Sequence, residues 1–100
     1  MPTLYVTAPP AAADDLADTL VSERLAACVN AIDCQSTYRW DDEVAHDDER
    51  VLLIKTTAEA ADRATERIEA LHPHEVPCIE RFETDDVLDR FGSWINESVD

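Results

Sequence analysis

Apolar residues recur along this chain in two different periods, and the switches between them mark its elements. Leu4, Val6 and Ala8 alternate with Tyr5 and Thr7, the two-residue period of a short half-buried strand that Pro9-Pro10 ends. Ala13, Leu16, Ala17, Leu20 and Val21 then share one helical face, with Asp14 and Asp15 expected in the first turn, where the helix dipole favours anions. Ala27 to Ile32 reads as a second strand that Ser36 to Trp40 continues, with a bulge expected at Asp33-Cys34 and with Ser36, Tyr38 and Trp40 on one face. Val51 to Ile54 is apolar on both faces, which suits a strand in the middle of a sheet. Thr56 and Glu59 form a capping box for a second helix whose predicted buried face is Ala61, Ala64, Ile68 and Leu71. Ile79 to Glu83 is a short fourth strand, and Thr84-Asp85-Asp86 opens a last helix that places Val87, Leu88, Phe91, Trp94 and Ile95 on one side. The order β-α-β-β-α-β plus a C-terminal helix predicts an α+β fold, a ferredoxin-like sandwich, with residues 1–100 as one domain.

The central hairpin points beyond a single chain. With its tip at Asp41-Asp42, its strands run from Ala27 to Trp40 and from Glu43 to Thr56. At about 3.3 Å per residue each strand spans roughly 46 Å, against a radius of gyration of about 13 Å for a globule of this size. The outer half must project, and a bare two-stranded ribbon invites pairing with another chain. A closed homo-oligomer follows from this geometry. The alternative is a shorter hairpin with a loop around Val44 to Asp48.

Composition narrows the classes. The chain has 23 acidic residues against 8 basic ones, a net charge of −15, and Lys55 is its sole lysine. The acids are spread along the chain, which fits adaptation to molar salt better than an acidic patch for a basic partner. Nucleic-acid binding is disfavoured, because phosphate neutralisation needs clustered Lys and Arg. No apolar run is long enough to span a membrane, and the N-terminus lacks a basic-then-apolar leader pattern. Three cysteines, Cys28, Cys34 and Cys78, do not make a disulfide framework. A cytoplasmic protein is expected.

Chemistry concentrates in Leu71-His72-Pro73-His74-Glu75-Val76-Pro77-Cys78. Each proline stiffens the backbone around it, so imidazole, carboxylate and thiol are held as a metal or small-ligand site requires. Read structurally, Pro73 stops a helix and the polar groups face water. His72 is open to both roles, cleft ligand or cap at a helix C-terminus. Cys28, in an apolar strand, reads as a small buried hydrophobe or as a ligand. His46, among Glu43, Asp47 and Asp48, is a weak metal candidate or a solvated tip. Lys55 reads as an anion contact or one half of a buried ion pair. No enzyme is expected: Gly92 is the only glycine, which excludes a phosphate loop, and there is no HExxH motif or nucleophile triad. A Cys28–His72 pair is the one catalytic arrangement left open.

Four segments in register resemble one family. Arg24-Leu25-Ala26-Ala27-Cys28-Val29-Asn30, Tyr38-Arg39-Trp40, Val51-Leu52-Leu53-Ile54-Lys55-Thr56-Thr57 and Leu71 to Pro77, with Ser93 to Val99 at the end, are similar to the divalent-cation tolerance family called CutA. The acidic bias suggests a haloarchaeal member. The resemblance implies a ferredoxin-like protomer in a tight PII-like homotrimer that binds copper or another divalent cation, acting on an unknown downstream protein without an organic cofactor. It places Cys28, Tyr38, Trp40, Lys55, His72 and Glu75 in or beside clefts between subunits. This chain departs from the family pattern at Asp33-Cys34 (often Pro-Gly), near Asp42 (a glycine), at His74 (an aromatic) and at Cys78 (a glutamate). His74 and Cys78 add two soft donors, so the metal set read from the sequence is Cys28, His72, His74, Glu75 and Cys78, with Tyr38, Trp40 and Lys55 as a ligand cleft. The alternative reading is a PII-like regulator that takes an anionic small molecule near Lys55, with metal incidental.

Overall fold

The computed structural model describes residues 1–100, with elements β1 (Pro2–Ala8), α1 (Pro10–Ser22), β2 (Cys28–Trp40), β3 (Glu43–Lys55), α2 (Ala61–Leu71), β4 (Cys78–Glu83) and α3 (Asp89–Ser98). The strands form one antiparallel sheet in the order β2-β3-β1-β4. This is the ferredoxin-like α+β arrangement predicted from the element order. Leu4, Val6, Ala8, Leu52 and Ile54 point to one side of the sheet, where they meet Ala13, Leu16 and Leu20 of α1 and Ala64 and Ile68 of α2 in the main core. The other face of the sheet carries neither of these helices.

The long hairpin is as long as predicted. β2 and β3 pair without interruption from Cys28 opposite Lys55 to Trp40 opposite Glu43. Asp33 faces Arg50 and Cys34 faces Glu49, so the bulge expected at Asp33-Cys34 is absent. Across that straight register the Arg50 guanidinium is bonded to both Asp33 and Asp14 on the helix side. Asp41 and Asp42, at φ 51° and 62°, form a two-residue turn in the left-handed region that short polar side chains tolerate. β1 ends opposite Arg50, so the hairpin beyond that point stands as a two-stranded arm, and the molecule is 45 Å long but only 25 by 20 Å across.

Several local expectations are corrected. α1 begins at Pro10, where a proline costs no hydrogen bond, so Asp14 falls beyond the first turn and meets Arg50 instead. The expected Thr56–Glu59 box is replaced by Thr57, whose hydroxyl accepts from Ala60 N at 3.2 Å, while the Thr56 hydroxyl donates to Leu25 O at 2.7 Å. Val21 and Leu71, expected on buried helix faces, lie at the rims of α1 and α2 and are exposed. α3 starts at Asp89, not at Thr84, whose side chain is bonded to Met1 O. Of its expected apolar face only Ile95 is buried, in a small cluster with Ala27, Ala60 and Val99, while Leu88, Phe91 and Trp94 stay exposed.

Candidate functional site

The strand register sorts the candidate residues by face. Thr3, Tyr5 and Thr7 lie opposite Lys55, Leu53 and Val51 on one side and opposite Phe82, Glu80 and Cys78 on the other. The same face continues across β3 to Cys28, Asn30, Ile32 and Cys34, and up the arm to Ser36, Tyr38 and Trp40. All three cysteines, Lys55 and the two arm aromatics therefore share the face without helices. They do not share one place on it. Cys28 sits directly opposite Lys55 at the end of the sheet where β1 begins. Cys34 lies six residues further along β2, roughly 20 Å away at strand rise. Cys78 starts β4 at the other end of β1.

At that end the arm, the end of β1 and the turn after α2 enclose a cleft of about 790 Å³. Tyr5 and Thr7 of β1 line it with Ser36, Tyr38 and Trp40 of β2, Glu49 of β3, the turn from Pro73 to Cys78, and Glu80. The turn is fixed by His72, which ends α2 in an extended conformation, as Pro73 requires. His72 is 8% exposed; its Nε2 lies 2.8 Å from Thr7 O and its Nδ1 3.1 Å from the His74 backbone nitrogen. A carbonyl only accepts and a backbone N–H only donates, so the proton is on Nε2 and the Nδ1 lone pair is used. Both ring nitrogens are committed to building the cleft wall. His74 packs against that ring at 4.9 Å and itself lines the cleft.

The cleft thus gathers Tyr38, Trp40, His74, Glu75 and Cys78 from the sequence reading, and leaves Cys28, Lys55 and the His72 ring outside its lining. It also adds Tyr5, Glu49 and Glu80, which the sequence reading did not single out. Their signal was available: Glu49 alternates in phase with Val51 and Leu53, which puts it on the inner row of the same face. Tyr38 donates to Asp47, and this bond holds its phenol above the usual pKa, with burial and Glu49 acting in the same sense. Tyr5 is raised first by burial and then by Cys78, Cys34 and Glu80. The Cys78 thiol lies 4.0 Å from Glu80 Oε1. Within one chain no three His, Cys, Asp or Glu side chains converge as a metal site would need. His46, exposed on the arm, faces Thr37 across the hairpin.

Residues 3–98 match the model of the family described as CutA1 divalent ion tolerance protein. The chain belongs to this family. It is 42% identical over 85 residues to the divalent-cation tolerance protein CutA of Thermus thermophilus, covering 84% of this chain and 82% of that one. Among solved structures, the PII-like protein CutA from Nostoc superposes with a TM-score of 0.96 at 29% identity, covering 100% of this chain and 98% of that one. The periplasmic divalent cation tolerance protein CutA from Archaeoglobus fulgidus gives a TM-score of 0.95 at 30% identity, with full coverage of both. The fold is thus that of CutA1 and PII-like proteins, and no helix is long and apolar enough to cross a membrane.

Proposed function

We propose that this CutA1 family member is a non-enzymatic, homotrimeric divalent-cation tolerance protein that binds metal, copper first, at clefts completed between subunits. The presence of His74, Glu75 and Cys78 along the lining of one cleft carries this reading. Imidazole and thiol are the soft donors that copper prefers, and the Pro73–Pro77 turn holds them in place. A single chain stops short of three converging donors, so the reading requires a second copy to supply the rest. The surface agrees with such an assembly. Ile32, Trp40 and Val44 of the hairpin, Phe82 of β4, and Leu88, Phe91 and Trp94 at and within α3 are all substantially exposed, apolar side chains that a second copy would cover. A cytoplasmic location, where thiols stay reduced, belongs to the same proposal.

Equilibrium dialysis of copper in molar KCl under reducing conditions tests it, on the wild type, on Cys28→Ser/Cys34→Ser/Cys78→Ser, and on His74→Ala/Cys78→Ser. Stoichiometric binding that both variants lose supports the cleft site. Loss in the triple variant alone would move the metal to Cys28 or Cys34, and no binding by the wild type would reject the metal reading.

A second reading is favoured by size. A cleft of about 790 Å³ is in the range of about 300 to 1,000 Å³ that holds small organic molecules, far more than a metal ion needs. On this reading the protein is a PII-like regulator. Its ligand would not meet Lys55, which lies beyond the lining.

A further inference from the structure

The corner after α1 holds an arginine where a helix ending of this kind favours glycine. Arg24 N–H bonds Val21 O at 3.1 Å and Leu25 N–H bonds Leu20 O at 2.9 Å. This pair of contacts closes a helix on a residue in the left-handed region, and Arg24 sits there at φ 59°. A side chain costs free energy in that region and persists where its surroundings hold it. What holds it comes from the far end of the sequence. Arg24 Nε donates to Asp100 Oδ1 at 2.8 Å, its Nη2 donates to Glu97 O at 2.9 Å, and its carbonyl accepts from Asp100 N at 3.0 Å. Arg63 of α2 donates to Asp100 O.

α3 needs what these two arginines supply. Its 10 residues are too few for a helix to hold its own shape in water. It buries only Ile95, which with Val99 just beyond it meets Ala27 and Ala60 in a cluster apart from the main core. Its last turn has no basic residue and carries Glu97, and Asp100 follows shortly after, so acids stand at the negative end of the helix dipole. Arg24 and Arg63 bring positive charge to that end, and Arg24 satisfies one of its carbonyls. Before α3 the chain is pinned at Thr84, whose N–H and hydroxyl both bond Met1 O. We propose that α3 is a strap that opens as a unit beyond Thr84, and that Arg24 is the positioning residue that latches it shut. An open strap bares Ala27 and Ala60 at the end of the sheet where β2 starts and β3 ends. Every bond of the latch is made within one chain, so it holds α3 whether or not a second copy covers Leu88, Phe91 and Trp94.

The test is amide hydrogen exchange in molar KCl on the wild type, Arg24→Gly and Asp100→Ala. In the wild type the α3 amides are expected to exchange faster than those of β1 and β3, through an opening that leaves the sheet closed. Arg24→Gly suits the turn and removes the guanidinium. It should speed exchange across α3 about tenfold, the size of one lost charge-assisted hydrogen bond, and leave β1, β3 and the last turn of α1 as protected as before. Asp100→Ala keeps the Arg24 bond to Glu97 O and removes an exposed ion pair, so it should act on the same amides by a smaller factor. It carries the test if Arg24→Gly fails to fold. Unchanged α3 exchange in Arg24→Gly would overturn the latch, as would faster exchange spread evenly over α1, α3 and the sheet, which would make Arg24 an ordinary part of the fold. α3 amides that exchange only together with those of the sheet in the wild type would overturn the strap. Sedimentation of the same samples separates this from the trimer, since a monomeric wild type whose strap opens faster in Arg24→Gly rejects the assembly and keeps the latch.

Discussion

The two faces of one sheet differ in how far the chain finishes them. On the helix side, Leu4, Val6, Ala8, Leu52 and Ile54 are at most 1% exposed, sealed by α1 and α2. On the other side the next residues along the same strands, Tyr5, Thr7, Val51 and Leu53, are only half-buried, and Ile32 and Phe82 are about half exposed. The same strands therefore serve two purposes. Alternation fixes one row of side chains as a core that needs nothing from outside, and offers the other row, with the cysteines and the cleft, to an external surface or ligand.

Neighbouring residues test this contrast most strongly. Leu52→Ala should cost about 2 to 5 kcal/mol in denaturant unfolding at any protein concentration, as expected for a sealed leucine. Leu53→Ala, one residue on and facing the opposite way, should cost less in dilute protein and show a loss that depends on concentration, because the proposed assembly would supply part of its burial. Equal, concentration-independent losses would erase the distinction between the faces. A smaller effect concerns salt. From about 0.1 M to about 1 M KCl the Debye length falls from about 10 Å to about 3 Å, so the melting temperature and the degree of association should both rise as the −15 charge is screened. A flat response would refute the reading of the acids as salt adaptation.

The smallest effect belongs to the tyrosines. Tyr5 and Tyr38, the only two in the chain, both sit on the helix-free face and both hold their protons above the ordinary value of 10.0. Folded phenols then bind protons that unfolded ones release, so their contribution to stability is whole below pH 10 and is lost as pH rises through the folded values. The midpoint of phenolate absorbance should lie above pH 10 for both tyrosines in the native protein, and Asp47→Asn should bring Tyr38 alone back toward that value. A midpoint below pH 10 for either native phenol would contradict this.

The fold was legible because its signals are local and periodic. Alternation in Leu4 to Ala8, the doubly apolar Val51 to Ile54 and the Asp41-Asp42 turn each act over a few residues, and each placed its element correctly. The errors came where a distant partner decides. Asp33-Cys34 resembled a bulge, but β3 pairs with β2 without a break there, with Arg50 opposite Asp33 and Glu49 opposite Cys34. The α3 stripe resembled a core face, but a stripe says that apolar residues are aligned and not which molecule covers them. The site was legible only in part for the same reason. The chemistry of His74, Glu75 and Cys78 is written in the turn, whereas the role of His72 depends on Thr7, 65 residues away in the chain. Glu49 was hidden among so many acids; its phase with Val51 and Leu53 puts it on the inner row, and its burial separates it from the rest.

The central claim is that copies of this chain close the face that one chain leaves open. Sedimentation equilibrium of the purified protein in molar KCl, over a wide range of concentration, measures this directly. The account predicts a species of three times the 11.2 kDa chain mass that persists on dilution and is weakened by Phe82→Asp. A stable monomer at all concentrations would contradict it, and the shared cleft would go with it.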